Sequence, residues 1–174
     1  MRLSRPQEHG EGMVQRALGY LAAARHGLAE DELIGVLGAD PAVMADAIAR
    51  SPTERDKPEA DRIKALPVSV WVRLCGDIAS YLSERRSRGA SVLGFYHRSF
   101  GETVERVFLR DGQVRLTLHE TMARWFGNQP WFIPPPSDAD GRAQKPEHTN
   151  PPNTRKTSEL PFHLHRVAEL SPDA

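Results

Sequence analysis

The chain alternates between segments with apolar residues at helical spacing and segments almost free of them. The first half predicts three helices, over about residues 13–25, 30–37 and 41–50. The second has acidic residues in its first turn, where the helix dipole favours them. The third begins with Asp40-Pro41, an N-cap followed by a proline at the first helical position. Gly27, between the first two helices, is suited to a left-handed C-terminal cap.

A polar segment over residues 51–62 is predicted to be a solvated loop. After it the pattern predicts a long helix over 68–86, a strand over 91–96, and helices over 99–109 and 113–126. A second strand would have to come from near Leu66 or from the turn at 86–91. Helices followed by a strand or hairpin are what a winged helix requires. We therefore predict a mainly α fold, a winged-helix-like helical domain with a short β-strand or hairpin, followed by helices.

Composition at the two ends suggests appendages to this domain. Residues 1–12 are polar and are predicted to be a disordered N-terminus, so the winged-helix-like domain and the helix that follows it occupy 13–127. Residues 128–156 are rich in proline and poor in aliphatic side chains, which predicts a linker. Residues 157–174 are predicted to contain a C-terminal helix.

Composition also narrows the class of protein. Lys plus Arg equals Asp plus Glu at 23 each, so no overall field attracts the chain to nucleic acid or an anionic membrane. No apolar run reaches the roughly 18–20 residues that span a bilayer. The single cysteine, Cys75, cannot form an internal disulfide and stands in an apolar-periodic stretch that favours a buried thiol. These features predict a soluble cytoplasmic protein that contacts no membrane.

Motifs of catalysis are absent from the sequence. It contains no G-x-x-x-x-G-K-[ST] phosphate loop and no G-x-S-x-G nucleophile elbow, so we predict no enzyme activity and no catalytic residue. His163 and His165 suggest a metal site at first sight. Two histidines two apart point to different sides of a helix, however, and no further ligand follows at metal spacing. We therefore expect no metal, and solvated or partner-facing histidines.

A locally basic stretch offers possible contacts to nucleic acid. Arg85, Arg86 and Arg88 cluster at the predicted turn, and Arg73 is the main residue of the long helix that could reach a base edge. The alternative is a solvated turn, with nearby charge neutralised by the i,i+4 pairs Arg98–Glu102 and Glu102–Arg106. We expect nucleic acid to be an unlikely partner.

His97 is the candidate binding residue. It follows the predicted strand and stands at the entry to a helix. A histidine in that position can donate an imidazole hydrogen to an oxyanion on a neighbouring domain. The alternative is a structural histidine whose ring is satisfied by backbone carbonyls, and spacing alone favours this second interpretation.

The segment Phe95–Glu102 resembles the F-x-H-x-S-F-x-E pattern that closes the winged-helix domain of NACHT-type receptors, members of the STAND class of signalling ATPases. Four other segments resemble parts of the same region, in the same order along the chain. Residues 20–33 are similar to its opening, and residues 66–82 to its "lP-x-x-W-x-x-L" phrase. Residues 118–126 and 155–164 are similar to the helix after it and to the lead-in to WD40 or TPR repeats.

This resemblance implies a non-catalytic regulatory segment that stabilises the ADP-bound resting state of a STAND ATPase. The family's phosphate-contacting histidine corresponds to His97, which would contact the β-phosphate of ADP. The chain would hold no cofactor itself, since ADP or ATP would come with a nucleotide-binding module from another chain or a lost N-terminal part. Its partners would be that ATPase module and a repeat array. Gly101 departs from the family pattern and loosens the predicted helix start.

Two alternatives remain open. One is a free-standing winged-helix DNA-binding regulator that uses residues 68–86 and the basic turn. The other is an adaptor that docks partners through its last helix and a surface at Trp125 and Trp131.

Overall fold

The computed structural model describes residues 9–133 and 150–171, and these form helices and one hairpin. The helices are α1 (Glu11–Ala23), α2 (Glu30–Ala39), α3 (Pro41–Arg50), the single turn α4 (Pro52–Arg55), α5 (Val68–Ile78), α6 (Arg98–Phe108), α7 (Gly112–Gly127) and α8 (Thr154–Leu170). The strands β1 (Leu82–Ser87) and β2 (Ala90–Phe95) pair antiparallel. The prediction of a mainly helical fold with a short hairpin is confirmed.

The predicted long helix over 68–86 is wrong in its second half. The helix α5 ends at Ile78, a 3-10 turn follows at Ala79–Tyr81, and residues 82–87 form β1. Arg88 and Gly89 have φ values of 52° and 80°, the left-handed conformations that a two-residue hairpin turn requires. Tyr81 and Leu82 continue the helical period of α5, which conceals the strand from a pattern based on apolar spacing.

The remaining differences lie at element ends. The predicted solvated loop at 51–62 contains α4, whose N-terminus is capped by the Ser51 side chain, and a 3-10 turn at Glu59–Asp61. Residues 1–8 of the predicted disordered N-terminus lie outside the described residues. Its last residues are ordered, because His9 is buried with Nε2 2.7 Å from Oδ2 of Asp77, and α1 begins at Glu11.

The described ends of the predicted linker are joined to each other. Residues 134–149 lie outside the described part, whereas the amide of Ile133 donates to the carbonyl of Pro151 at 2.9 Å. The amide of Asn153 donates to the carbonyl of Trp131 at 2.8 Å, and the Asn153 side chain caps α8. Because of this cap, α8 begins at Thr154 and not at the predicted residue 157.

The core forms around α1, whose buried face includes Val14, Ala17 and Leu18. This face contacts α2, α3, α6 and α7, while α8 packs along α7. Two polar side chains at the core donate to carboxylates. The Trp71 indole donates to Oε1 of Glu30 at 2.8 Å, and the Tyr20 hydroxyl donates to Oδ2 of Asp40 at 2.7 Å. Asp40 also caps α3 as predicted, since its Oδ1 accepts from the amide of Ala42 at 2.9 Å.

Gly27 fixes the hairpin against the helices. Its φ of 82° is left-handed as predicted, but α1 already ends at Ala23, so Gly27 is not the residue that caps the helix. It lies so close to β2 that a Cβ atom would stand 2.3 Å from the carbonyl oxygen of Leu93. This approach lets Leu28 and Leu93 exchange two backbone hydrogen bonds, at 3.1 and 2.7 Å.

Candidate functional site

His97 stands at the corner between β2 and α6. Its backbone carbonyl accepts from the amide of Phe100 at 3.0 Å, so the residue is the N-cap of α6, but its side chain makes no capping bond. The ring is exposed and lies edge-on to Tyr96, with centroids 4.6 Å apart. Within the described part of the chain no hydrogen bond reaches the imidazole. The ring is therefore available to a group from outside, and the backbone-satisfied alternative does not apply.

Aromatic packing holds this corner in place. Phe100 stacks on Tyr81 with centroids 4.7 Å apart, and Phe95 meets Phe100 edge-on at 5.3 Å. The amide of Tyr96 donates to the carbonyl of Tyr81 at 2.9 Å. A Cβ atom on Gly101 would stand 3.0 Å from the Phe95 ring, so this close contact favours glycine there. The backbone on both sides of His97 is thus anchored while its imidazole stays exposed.

The four candidate nucleic-acid arginines do not form one cluster. Arg85, Arg86 and Arg88 are exposed on the hairpin, whereas Arg73 is exposed on α5. Successive strand residues point to opposite faces, so Arg85 and Arg86 diverge. The hairpin tip is also fixed to α8, because the Thr154 hydroxyl donates to the carbonyl of Arg88.

Of the two predicted neutralising ion pairs, the structure forms one. Nε of Arg98 donates to Oε1 of Glu102 at 2.7 Å, and both side chains are exposed. Glu102 and Arg106 do not form an ion pair in the described structure, so that prediction is wrong. Among the described residues Arg106 makes no ion pair.

A buried ionic cluster that the sequence did not predict joins α8 to α2. Arg155 donates from Nε and one terminal nitrogen to both oxygens of Glu32, at 2.8 and 2.7 Å. It also donates to Oε1 of Glu159 at 3.1 Å and to the carbonyl of Gly27 at 2.8 Å. All three charged side chains are buried. Burial alone would lower the pKa of Arg155, but its bonds to Glu32 and the nearby Glu159 raise it, so it stays charged.

Glu32 and Glu159 also satisfy backbone amides. Oε2 of Glu32 accepts from the amide of Ala29 at 2.8 Å at the start of α2, and Oε2 of Glu159 accepts from the amide of Arg25 at 3.1 Å. Although burial raises the pKa of Glu159, the neighbouring His163 and Arg155 outweigh that effect and lower it. The cluster therefore couples α8 to the ends of α1 and α2.

His163 extends the cluster to α7. It is buried, and its Nδ1 lies 2.9 Å from Nδ1 of His119, so one of these two nitrogens donates and the other accepts. Its Nε2 lies 3.3 Å from Oε2 of Glu159 without the alignment of a hydrogen bond. Burial, followed by the neighbouring His163, lowers the pKa of His119 to about 4. The prediction of solvated or partner-facing histidines is thus wrong for His163, while His165 is exposed.

One sequence signal could have indicated part of this cluster. Arg155, Glu159 and His163 are spaced four apart and so share one face of α8. Their partners Glu32 and His119 are far away in sequence, and nothing local points to them. Among residues 9–133 and 150–171, no group of three or more metal-binding side chains occurs, and no helix is long and apolar enough to cross a bilayer.

Comparison with known proteins finds relatives that carry a NACHT domain and WD repeats. The chain is 34% identical to NACHT domain- and WD repeat-containing protein 1 from Homo sapiens, over 91% of this chain and 10% of that protein. It is 30% identical to the Mus musculus protein of the same name, over 94% of this chain and 11% of that protein. It is 29% identical to NACHT and WD repeat domain-containing protein 2 from Homo sapiens, over 67% of this chain and 6% of that protein.

The chain therefore corresponds to one segment of such NACHT and WD repeat proteins, and it spans about a tenth of the length of the first two. No protein-family model matches it, and no solved structure does.

Proposed function

We propose that this chain is a non-catalytic regulatory segment of a NACHT-type STAND signalling ATPase, with a winged-helix architecture, and that His97 stabilises the ADP-bound resting state. The observation that carries the proposal is the exposed, hydrogen-bond-free imidazole of His97 on an anchored strand-to-helix corner. Similarity to NACHT and WD repeat proteins supports the setting.

In this proposal, which we call the His97 lock, the imidazole N–H of His97 donates a hydrogen bond to a β-phosphate oxygen of ADP in the nucleotide-binding module. Such a bond stabilises only the arrangement in which that module rests against the corner at His97. It therefore shifts the population towards the closed state. The nucleotide and the residues that hold it belong to that module, while this chain supplies the positioned donor.

The two partners in this proposal would meet different elements of the segment. The nucleotide-binding module would face His97, and a repeat array would connect to α8. The cluster of Glu32, Arg155 and Glu159 fixes α8 to the helical domain. Movement of the repeats would therefore act on the same rigid body that presents His97.

His97→Ala is expected to accelerate ADP release from the nucleotide-binding module of NACHT domain- and WD repeat-containing protein 1 supplied in trans. A hydrogen bond to a charged group contributes about 1.5–3 kcal/mol, so the dissociation rate should rise roughly 10- to 100-fold. Release of a fluorescent ADP analogue measures it. His165→Ala, which alters an exposed histidine on α8, serves as the control and should leave release unchanged. Equal rates for His97→Ala and the unmodified chain would refute the phosphate contact.

A free-standing winged-helix DNA-binding regulator is the second candidate, because Arg85, Arg86 and Arg88 are exposed on a hairpin placed like a wing. The exposed side chains of α5 argue against it, since Val68 and Val72 lie there beside Arg73 and are unsuited to base edges. This candidate predicts that the chain binds duplex DNA and that the affinity falls steeply as salt rises. The variant Arg85→Gln/Arg86→Gln/Arg88→Gln should not bind the duplex. Gel shifts at low salt with no retarded duplex would eliminate it.

A further inference from the structure

A cavity with several arginines lies on the side of α6 that faces α8. Its volume is about 580 Å³, and it is bounded by residues 22–25 at and just after the end of α1, by α6, by the first turns of α7 and by the middle of α8. Each of these four parts contributes one arginine, namely Arg25, Arg106, Arg115 and Arg166. Four arginines from four separate places in the chain thus line one space, which the sequence alone does not show.

Among these side chains, Arg115 contains a buried hydrogen-bond donor that has no acceptor. It is half-buried, and its Nε is fully buried with no hydrogen-bond acceptor among the described residues. A buried guanidinium nitrogen without an acceptor destabilises a protein, because the desolvation of a charged group is not offset. The terminal nitrogens of Arg115 also make no hydrogen bond to the described residues, and they are not shielded from solvent as Nε is. They are therefore the donors that an acceptor in the cavity can reach.

The other arginines are also short of anionic partners. Arg106 forms no ion pair within the described part of the chain. Arg25 donates to the carbonyl of Ser158 at 3.4 Å, and its guanidinium lies 5.9 Å from the centre of the Phe162 ring, but neither contact supplies a negative charge. Arg166 is bonded to Glu169 at 2.7 Å and is partly neutralised.

The acidic residues of the cavity do not balance this charge. Glu102 and Glu105 are the two carboxylates in the lining, and Glu102 is already paired with Arg98. His119 closes the cavity near α8 and is neutral at physiological pH, because burial lowers its pKa. The lining therefore has a positive excess, to which Arg25, Arg106 and Arg115 contribute.

We propose that this cavity binds a small phosphate-bearing anion, with Arg115 as its principal ligand and Arg25 and Arg106 as supporting ligands. Guanidinium groups match phosphate oxygens in geometry and can bind them in a bidentate manner. The volume lies in the range of small-molecule sites, so it accommodates a diphosphate or a larger phosphorylated compound. Since the ligand would contact α6, α7 and α8 together, its binding would strengthen the docking of α8. The proposal is independent of the His97 lock.

The test is titration calorimetry of the full chain with pyrophosphate, at constant ionic strength and with inorganic phosphate in parallel. Saturable one-to-one binding of pyrophosphate is expected, and Arg115→Gln and Arg106→Gln should each weaken it by about tenfold or more. Arg124→Gln is the matched control, because Arg124 is exposed on the same helix as Arg115 but lies outside the cavity. It should leave the affinity unchanged.

A second variant tests the site independently of whether Arg115→Gln folds. Glu105→Gln removes a carboxylate from the lining at an exposed position and should tighten pyrophosphate binding several-fold. No binding by the unmodified chain would overturn the proposal. So would a loss in Arg124→Gln as large as in Arg106→Gln, or an affinity that Glu105→Gln leaves unaltered. Binding of phosphate as tight as that of pyrophosphate would support the anion site and show that one phosphate group is sufficient for recognition.

Discussion

Arg155→Met is expected to lower the free energy of unfolding by about 3–5 kcal/mol, because it leaves buried carboxylates without their cation. Arg155 contacts both oxygens of Glu32 and one of Glu159, and both glutamates are buried. Methionine keeps much of the side-chain volume, so the loss reports on charge and hydrogen bonding more than on packing. Urea unfolding at neutral pH, followed by circular dichroism, measures the change.

Arg98→Met is the matched control for this experiment. Arg98 and Glu102 form a pair with the same 2.7 Å distance, but the Arg98 side chain is 92% exposed. Exposed pairs contribute about 0–1 kcal/mol, so the control should be nearly neutral. Adding Glu32→Gln and Glu159→Gln to Arg155→Met should recover part of the lost stability, since the carboxylates are then neutral. Equal destabilisation by Arg98→Met and Arg155→Met would contradict the special role of the buried cluster.

If the proposed function is right, Arg155→Met should also affect His97, because the buried cluster contacts the segment that holds the hairpin. Arg155 bonds to the carbonyl of Gly27 as well as to Glu32, and Gly27 lies against β2, which ends two residues before His97. The cluster and the hairpin therefore share a contact through one glycine. Release of α8 would remove a constraint on the hairpin, and the His97 corner would lose part of its support.

Local signals in the sequence predicted the helices whose ends are determined by nearby residues. Asp40-Pro41 marks the start of α3 because the cap and the proline act within one turn. The acidic first turn of α2 likewise coincides with its start at Glu30. By contrast β1 depends on pairing with β2, and pairing across a turn overrides the helical spacing that continues through Tyr81 and Leu82.

The candidate site likewise has features that nearby residues determine and features that depend on distant contacts. The position of His97 at a helix entry follows from the strand and helix beside it, and the structure places it there. Its exposure could not be read from spacing, since spacing favoured a satisfied ring. The pairs Arg155–Glu32 and His163–His119 link residues 123 and 44 positions apart, and only the folded arrangement of α2, α7 and α8 brings them together. Spacing places Arg155 and His163 on one face of α8 but says nothing of what that face meets.

Acidification from pH 7 to pH 4.5 is expected to destabilise the fold through His119. Burial, and then the adjacent His163, lowers the pKa of His119 to about 4, whereas an unfolded histidine titrates near 6.5. Arg166 and Arg115 also face it and lower the pKa, and only Glu169 opposes them. Between these two pKa values the unfolded chain binds the proton and the folded chain does not. The contribution of neutral His119 to the free energy of unfolding is therefore fully present above about pH 6.5, and it is lost as the pH falls towards 4.

The loss attributable to His119 is roughly 3 kcal/mol over the whole interval, because each pKa unit corresponds to about 1.4 kcal/mol. Urea unfolding at several pH values measures it, and His119→Gln should flatten the slope between pH 6.5 and 4.5 because glutamine does not titrate. His165→Gln removes a histidine whose side chain is 70% exposed, and it should leave the slope unchanged. Glu159 adds a separate loss below about pH 4.5, since its lowered pKa stabilises the fold only while it is ionised. If the free energy of unfolding of His119→Gln still falls between pH 6.5 and 4.5, the buried His119 is not the cause of the acid sensitivity.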